Sequence, residues 1–122
     1  GCRPPPPTCL GRRGMKRIWP LQRGRVYSAT LPQIGSQKYF VVVSNNRRNA
    51  ALESAFAVRL TTSPKPALPS IVDLGQQEVL KGRVVCDDIL ELFDGEVSRD
   101  LGALSASTMR RVDEGLRAAL GL

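Results

Sequence analysis

Short apolar runs alternate with polar breaks along most of the chain, a pattern typical of a small β-rich domain. Residues 39–44 (YFVVVS) are the most apolar run, too short for a helix and rich in β-branched valine. A second run, residues 55–61, follows the polar, basic stretch 45–49, which we interpret as a turn. Alternate positions of this second run are apolar: Phe56, Val58 and Leu60. The pattern predicts two buried strands joined by a turn, with these three side chains on one face.

Further strands are predicted on both sides of this pair. Residues 25–31 match a first strand, and residues 32–37 match a loop because they contain proline, glycine and serine. Two prolines predict another loop at residues 62–66. The strands predicted after it are residues 70–74, 82–86 and a short closing strand at 101–104, with apolar positions at 89, 90, 92 and 93 and a turn at 94–95 between the last two.

The C-terminal segment is predicted to form a helix that begins after Ser105, a suitable N-cap residue. Its apolar residues recur at helical spacing: Met109, Val112, Leu116 and Leu120. Gly121 is a natural stop signal. The expected fold is therefore mainly β with a C-terminal helix, in which a small, strongly curved sheet or barrel packs against the helix.

The length of 122 residues predicts one domain, residues 15–122, after a leader at residues 1–14. Four consecutive prolines exclude the leader from a sheet or helix interior, so we interpret it as disordered or as an expression remnant. No run reaches the roughly 18–20 apolar residues of a membrane span. Trp19, the only tryptophan, is expected to pack against the barrel or a partner subunit, with stacking on a base as the alternative.

The three cysteines show neither a CxxC motif nor zinc-ligand spacing, and the chain has no histidine. We therefore expect no disulfide framework, no bound metal and a reducing, cytosolic setting. The net charge is +7, and all eleven acidic residues lie after position 52. This asymmetry favours a polyanionic partner for the basic N-terminal half. The alternative is that arginines of the leader inflate the count and the remaining cations form an ordinary solvated face.

Four short motifs occur in an order that resembles the MazF/PemK toxins of bacterial toxin–antitoxin pairs. They are RGRVY at 23–27, IGS at 34–36, VVVSN at 41–45 and LTT at 60–62. The resemblance covers residues 22–122 and is strongest to the mycobacterial MazF-like toxins. It implies an SH3-like barrel of the CcdB/Kid type, in agreement with the strand pattern.

The resemblance also implies cleavage of RNA, which needs a base, an acid and donors that hold charge on phosphorus. The absence of histidine excludes a pair of imidazoles, and the acidic residues show no compact array suited to two metal ions. Asp87 and Asp88 adjoin, but adjacent strand residues point to opposite faces. Lysine, arginine, threonine, tyrosine or a lone carboxylate must then supply the chemistry.

By the resemblance, Lys38 and Thr61 occupy the two catalytic positions of the family. Family members usually carry arginine where this chain has Lys38, which we expect to act while protonated, as an acid or an electrostatic clamp. The alternative is an ordinary surface lysine beside an ordinary β-strand threonine. The candidate RNA-binding residues are Arg25, Ser36, Gln37, Arg59, Asp87 and Asp88. Gln37 stands where the family has an acidic residue, and Arg47 and Arg48 either contact phosphates or belong to a solvated turn.

We therefore predict a sequence-specific, metal-independent endoribonuclease toxin that cleaves single-stranded RNA without a cofactor. Internal attack by the 2′-OH would leave a 2′,3′-cyclic phosphate, in messenger RNA or alternatively in transfer or ribosomal RNA. The resemblance implies a cytoplasmic bacterial homodimer neutralised by a cognate MazE-type antitoxin. The alternatives are a non-catalytic CcdB-like gyrase inhibitor, disfavoured because the C-terminus lacks tryptophan, and an RNA-binding module without activity.

Overall fold

The computed structural model describes residues 19–122, so the predictions about the leader, Cys2 and Cys9 lie outside the described residues. Within this range the chain forms six strands, two α-helices and one short 3-10 turn at Asp94–Glu96. In chain order the elements are β1 (Arg25–Thr30), β2 (Gln37–Val42), α1 (Asn46–Leu52), β3 (Ser54–Thr61), β4 (Ile71–Asp73), β5 (Arg83–Phe93), β6 (Val97–Ala103) and α2 (Ala106–Leu120).

The six strands form one antiparallel sheet in the order β4-β5-β3-β2-β1-β6. This arrangement confirms the mainly β fold with a C-terminal helix. The barrel is not closed, because the edge strands β4 and β6 do not pair with each other within residues 19–122. Neither helix in this range is long and apolar enough to cross a membrane.

The predicted strand at residues 82–86 and the apolar positions 89, 90, 92 and 93 belong to one long strand, β5, which is interrupted by a large bulge. Arg59 of β3 lies opposite Val85, but the preceding residue, Val58, lies opposite Ile89. Residues 86–88 are therefore left out of the ladder between β3 and β5. A bulge bends its strand and increases the local twist, which helps the sheet to curve.

The curvature encloses two apolar clusters that share the strands of the sheet. The first contains Leu21, Tyr27, Ala29, Leu31, Phe40, Val42, Ala55, Ala57 and Leu92. The second contains Val26, Val41, Val58, Leu60, Val72, Val84, Cys86, Leu104 and Val112. Trp19 is half-buried against the first cluster, which confirms the prediction that it packs against the barrel. The second cluster lies under α2, which contributes Val112.

The prediction of a turn at residues 45–49 is wrong, because this stretch begins helix α1. The Asn45 side chain caps the helix by accepting from the backbone N–H groups of Arg47 and Arg48. Asn49 is fully buried and donates to the carbonyls of Leu21 and Ser44. The helix escaped detection because it is short and its one anchoring residue is a polar asparagine, so it has no apolar stripe.

Two predicted core positions are exposed. Phe56 shares a strand face with Val58 but remains 43% exposed, although the guanidinium of Arg48 covers part of its ring at 4.4 Å from the centroid. Leu120 is 56% exposed, because the buried stripe of α2 ends at the partly buried Ala119. The N-cap role of Ser105 and the stop at Gly121 are confirmed.

Close packing fixes α2 against β5 at Gly115. A Cβ atom at this position would lie 2.7 Å from the Sγ of Cys86, so only glycine permits this approach. The Cys86 thiol is buried and donates to the carbonyl of Val112 at 3.7 Å. Burial, together with the charges of Asp87 and Asp113, raises the pKa of Cys86 to about 11, so the thiol stays protonated.

The gap between the sheet edges is bridged by the β4–β5 loop. Its Glu78 carboxylate accepts from the backbone N–H of Ser105 (3.0 Å), the Ser105 hydroxyl (2.7 Å) and the Thr108 hydroxyl (2.7 Å). A carboxylate at the start of α2 is also favoured by the helix dipole. Burial alone would raise the pKa of Glu78, but these hydrogen bonds and the charge of Arg111 outweigh it and lower the pKa.

Replacing Glu78 with glutamine is expected to destabilise the fold at neutral pH but not in acid. Because the folded state lowers the pKa, the stabilisation is complete above the ordinary glutamate pKa and disappears as the pH falls through the folded value. We expect Glu78→Gln to lower the free energy of unfolding by about 1 kcal/mol at pH 7, the usual net value of a hydrogen bond. Urea unfolding at pH 7 and in acid measures this, and a difference that does not shrink in acid would contradict it.

Candidate active site

The two predicted catalytic residues, Lys38 and Thr61, lie side by side where the β2–β3 ladder ends. In this antiparallel pair Tyr39 lies opposite Leu60. Lys38 precedes Tyr39 and Thr61 follows Leu60, so the same register places Lys38 opposite Thr61. Side chains at opposite positions of an antiparallel pair share a face and approach closely.

Both residues line a cavity of about 320 Å³, called here the cationic pocket. Its wall is formed by the start of β2, the end of β3 with the following loop, and the β4–β5 loop. The lining residues are Gln37, Lys38, Tyr39, Arg59, Leu60, Thr61, Thr62, Ser63, Leu80 and Lys81. The pocket therefore unites four of the eight residues that the sequence singled out: Gln37, Lys38, Arg59 and Thr61.

The charge of the pocket is positive, because Lys38, Arg59 and Lys81 line it and no carboxylate does so among the described residues. The Nε atom of Arg59 is buried without a hydrogen-bond partner. Its Nη1 atom is 4.0 Å from a carboxylate oxygen of Asp88, at the limit of an ion pair. A buried donor without a partner is costly, so Arg59 has capacity to bind an anion that enters the pocket.

The hydroxyl of Thr61 is oriented by the chain that follows it. The backbone N–H of Ser63 donates to its Oγ1 at 3.1 Å. No acceptor for the hydroxyl hydrogen is present within residues 19–122, so this hydrogen is available to a ligand. Gly82, directly before β5, makes the packing possible, because a Cβ atom there would lie 2.3 Å from the carbonyl oxygen of Thr61.

The other predicted site residues do not line the pocket. Arg25 donates through Nε to both carboxylate oxygens of Asp100 (3.1 and 2.9 Å), and this contact raises its pKa. Ser36 is exposed in the loop before β2. Asp87 accepts from the Ser70 hydroxyl at 2.5 Å, whereas Asp88 approaches Arg59. The adjacent carboxylates thus have different partners, as expected for neighbouring strand residues.

Lys81 is the main pocket residue that the sequence did not single out, and Tyr39, Leu80 and Ser63 were likewise not assigned to the site. Lys81 stands in the loop before β5, distant in sequence from Lys38. The pairing of β3 with β5, in which Thr61 lies opposite Arg83, brings this loop beside the end of β3. The sequence feature that could have pointed to Lys81 is its position directly before Gly82, the first residue of the strand predicted at 82–86.

The donor groups of the pocket are ammonium, guanidinium, hydroxyl and amide, and the charged ones among them bind anions and repel metal ions. Within residues 19–122 no group of three or more histidine, cysteine or acidic side chains is placed to hold a metal ion. The chemistry available is therefore charge stabilisation by cations, hydrogen bonding by Thr61 and proton donation by a lysine ammonium.

Residues 22–120 match the family model described as PemK-like, MazF-like toxin of type II toxin–antitoxin system. The chain belongs to this family, as its sequence motifs predicted.

Its relatives include endoribonuclease MazF1 of Mycobacterium bovis and endoribonuclease MazF4 of Mycobacterium tuberculosis. Each is 37% identical over 100 residues, which cover 82% of this chain and 92% of the relative. A solved mycobacterial endoribonuclease in complex with its cognate antitoxin is 37% identical with a TM-score of 0.76, covering 82% of this chain and 94% of its own. MazF from Deinococcus radiodurans, 20% identical with a TM-score of 0.72 over 83% and 96% of the two chains, shares the fold.

Replacing Gly82 with alanine is expected to displace Thr61 and destabilise the protein by about 2 kcal/mol, because overpacking adds to backbone strain. Gly82 has a φ of +113° as well as the close contact to Thr61. Gly35→Ala is the matched control, since Gly35 has a φ of +78° but nothing within 4 Å of a built Cβ. Urea unfolding measures both variants, and NMR follows the Thr61 amide. If both variants lose the same free energy of unfolding, and if the Thr61 amide resonance shifts in neither, the close approach of residue 82 to Thr61 is unimportant.

Proposed function

We propose that this chain is an endoribonuclease toxin that cleaves single-stranded RNA in the cationic pocket. The observation that carries the proposal is that Lys38, Arg59 and Lys81 line the same pocket as Thr61, and that no described carboxylate lines it. A phosphodiester is the anion that such a set of donors fits. The family membership and the mycobacterial relatives named endoribonuclease support the same activity.

The proposed reaction is internal transesterification without a metal ion. The 2′-OH loses its proton to solvent and attacks the adjacent phosphorus, and the bond to the 5′-oxygen breaks to leave a 2′,3′-cyclic phosphate. Thr61 donates to a non-bridging oxygen, while Arg59 and Lys81 stabilise the charge that develops on the phosphoryl group. Lys38 acts while protonated and gives a proton to the leaving 5′-oxygen.

Recognition of a short sequence in single-stranded RNA follows from side chains at the pocket rim. Tyr39 is 38% exposed and presents a ring on which an unpaired base can stack. The Gln37 amide and the Asp88 carboxylate offer hydrogen bonds to base edges. Arg25 and Ser36 extend the proposed contact surface to the phosphates beyond the pocket, and Asp87 is a further base-edge acceptor. Messenger RNA is the proposed target, with transfer and ribosomal RNA as alternatives.

Cleavage of a long single-stranded RNA in EDTA tests the proposal. We expect the wild-type chain to cut at a repeated short sequence and to leave 2′,3′-cyclic phosphate ends. Lys38→Ala and Thr61→Val should each slow cleavage about 10²- to 10³-fold, the usual loss when one charge-stabilising donor is removed. Lys65→Ala, an exposed lysine outside the pocket, serves as the matched control and should cleave normally.

The alternatives give different outcomes in the same experiment. RNA that is bound but not cut by the wild-type chain would indicate a binding module. Neither binding nor cleavage would remove the nuclease proposal and leave inhibition of gyrase to be assayed. Activity that EDTA abolishes would contradict the metal-independent mechanism.

A cognate antitoxin of the MazE type is the proposed inhibitor, and the bacterial cytoplasm is the proposed place of action. A mycobacterial relative at 37% identity has been solved in complex with its cognate antitoxin. The three cations of the pocket fit acidic side chains of an extended peptide as well as they fit RNA phosphates. Such a peptide would inhibit the toxin by occupying the RNA site.

A homodimer is proposed because the β3–β5 pair carries an exposed apolar patch. Phe56 lies opposite Glu91, Ser54 opposite Phe93 and Val58 opposite Ile89. Opposite and alternate positions share one face, so this register places Phe56, Ile89 and Phe93 on the same face, with Glu91 between the two residues of β5. They are 43%, 37% and 49% exposed, and a second copy that packs against the patch would bury them.

Light scattering on the purified chain is expected to give twice the 13.3 kDa mass of one protomer. Replacing both Phe56 and Phe93 with serine should weaken the dimer about 10³-fold or more, since buried aromatic anchors contribute about 2 kcal/mol or more each and about 1.4 kcal/mol is tenfold. Leu120→Ser removes an exposed apolar side chain of similar exposure from α2 and should leave the dimer intact. A monomeric wild type, or equal dimerisation of all three proteins, would refute this interface.

A further inference from the structure

We infer that Arg83 is a positioning residue that holds the Thr61 hydroxyl in its reactive orientation. The inference rests on the proposed function of the cationic pocket, and it adds a residue that does not line that pocket. Arg83 is the first residue of β5 and lies opposite Thr61 in the β3–β5 ladder. Its side chain reaches the two residues that follow Thr61.

The guanidinium of Arg83 joins three acceptors. Its Nη1 atom donates to the carbonyl oxygens of Thr62 (3.2 Å) and Ser63 (2.6 Å). Its Nε atom donates to the Asp73 carboxylate at 3.3 Å. Asp73 lies opposite Arg83 on the neighbouring strand β4, so the sheet register aligns this pair. Asp73 is largely exposed and contributes little energy of its own, but it restricts the directions that the guanidinium takes.

One peptide group transmits this contact to Thr61. The carbonyl of Thr62 and the N–H of Ser63 belong to the same planar peptide unit and point in opposite directions. Arg83 binds this unit at its oxygen, and the N–H on the other side donates to the Thr61 Oγ1 at 3.1 Å. Arg83 therefore sets the plane of the peptide that orients the threonine side chain.

This orientation determines what the hydroxyl can do. Because the Ser63 N–H donates to Oγ1, it holds the Thr61 side chain in one rotamer. The hydroxyl hydrogen of Thr61 then remains available to donate to a ligand in the pocket. Without Arg83 the peptide at 62–63 can rotate, and Thr61 then samples rotamers that do not reach the phosphoryl oxygen. We expect the loss in the rate of the chemical step and not in RNA binding. Arg83 lines a different groove, together with residues 64–69, and does not line the cationic pocket.

The expected result of Arg83→Ala is about a tenfold lower single-turnover cleavage rate at saturating RNA, the equivalent of one misplaced hydrogen bond. RNA affinity and its dependence on salt should stay unchanged within about twofold, because no phosphate contact is lost. Arg83→Lys, which retains one donor, should recover part of the rate. If Arg83→Ala instead binds RNA more than about twofold more weakly, and if its RNA affinity depends less on salt concentration than that of the wild type, Arg83 is a direct phosphate ligand and the inference is overturned.

Arg23→Ala is the matched control. The Arg23 guanidinium likewise donates to a backbone carbonyl, that of Val43, and to a carboxylate, that of Asp113. Neither of these residues lines the pocket, whereas Arg83 contacts Thr62 and Ser63, which do. Its removal should leave the cleavage rate unchanged. A rate loss equal to that of Arg83→Ala would show that any such lost contact has the same effect, and would refute a specific role for Arg83.

A double-mutant cycle identifies Thr61 as the group through which Arg83 acts. In a Thr61→Val background, Arg83→Ala should cause no further loss of rate, whereas multiplicative losses would overturn the inference. NMR couplings of Thr61 test it independently of catalysis: one rotamer is expected in the wild type, averaging in Arg83→Ala and less averaging in Arg83→Lys. A wild type that fails to cleave refutes the proposed nuclease, whereas an unaveraged Thr61 in folded Arg83→Ala refutes the positioning role.

Discussion

The antiparallel pairing of β3 with both of its neighbours is the constraint on which the candidate site depends. β2 brings Lys38 to one side of Thr61, and β5 brings Gly82 and Arg83 to the other. The second approach is close enough to require glycine at position 82. The positions of Lys38 and Thr61 are thus set by the backbone pairing of β2, β3 and β5, and the two adjoining loops add Ser63 and Lys81 to the site.

The pocket concentrates positive charge that the fold itself does not use. Elsewhere in the described chain several arginines are paired, as Arg25 is with Asp100. In the pocket, by contrast, Arg59 keeps a buried Nε without a partner, and its nearest carboxylate is only at the limit of contact. Such locally unfavourable groups are typical of functional sites, where a ligand supplies the missing interactions.

The periodicity of the sequence was sufficient to predict most of the strands and the C-terminal helix, whereas Lys38 and Thr61 were singled out by the family resemblance and not by periodicity. It failed at α1, where Asn49 is buried through hydrogen bonds that no hydropathy pattern reveals. It also failed at β5, because the bulge breaks the alternation of apolar positions near Cys86. Lys81 and Arg83 depend on the pairing of distant strands, which a single sequence does not specify.

Within residues 19–122 the unclosed barrel leaves two sheet edges without a paired strand, and both are poor templates for strand-by-strand aggregation. β4 is only three residues long, so it offers few unpaired backbone groups. β6 carries the charged residues Arg99 and Asp100 and pairs with β1 through two register shifts that distort its edge. Short, charged and irregular edges discourage the addition of further strands. The protein can therefore present an apolar sheet face to a partner while resisting conversion into extended β-assemblies.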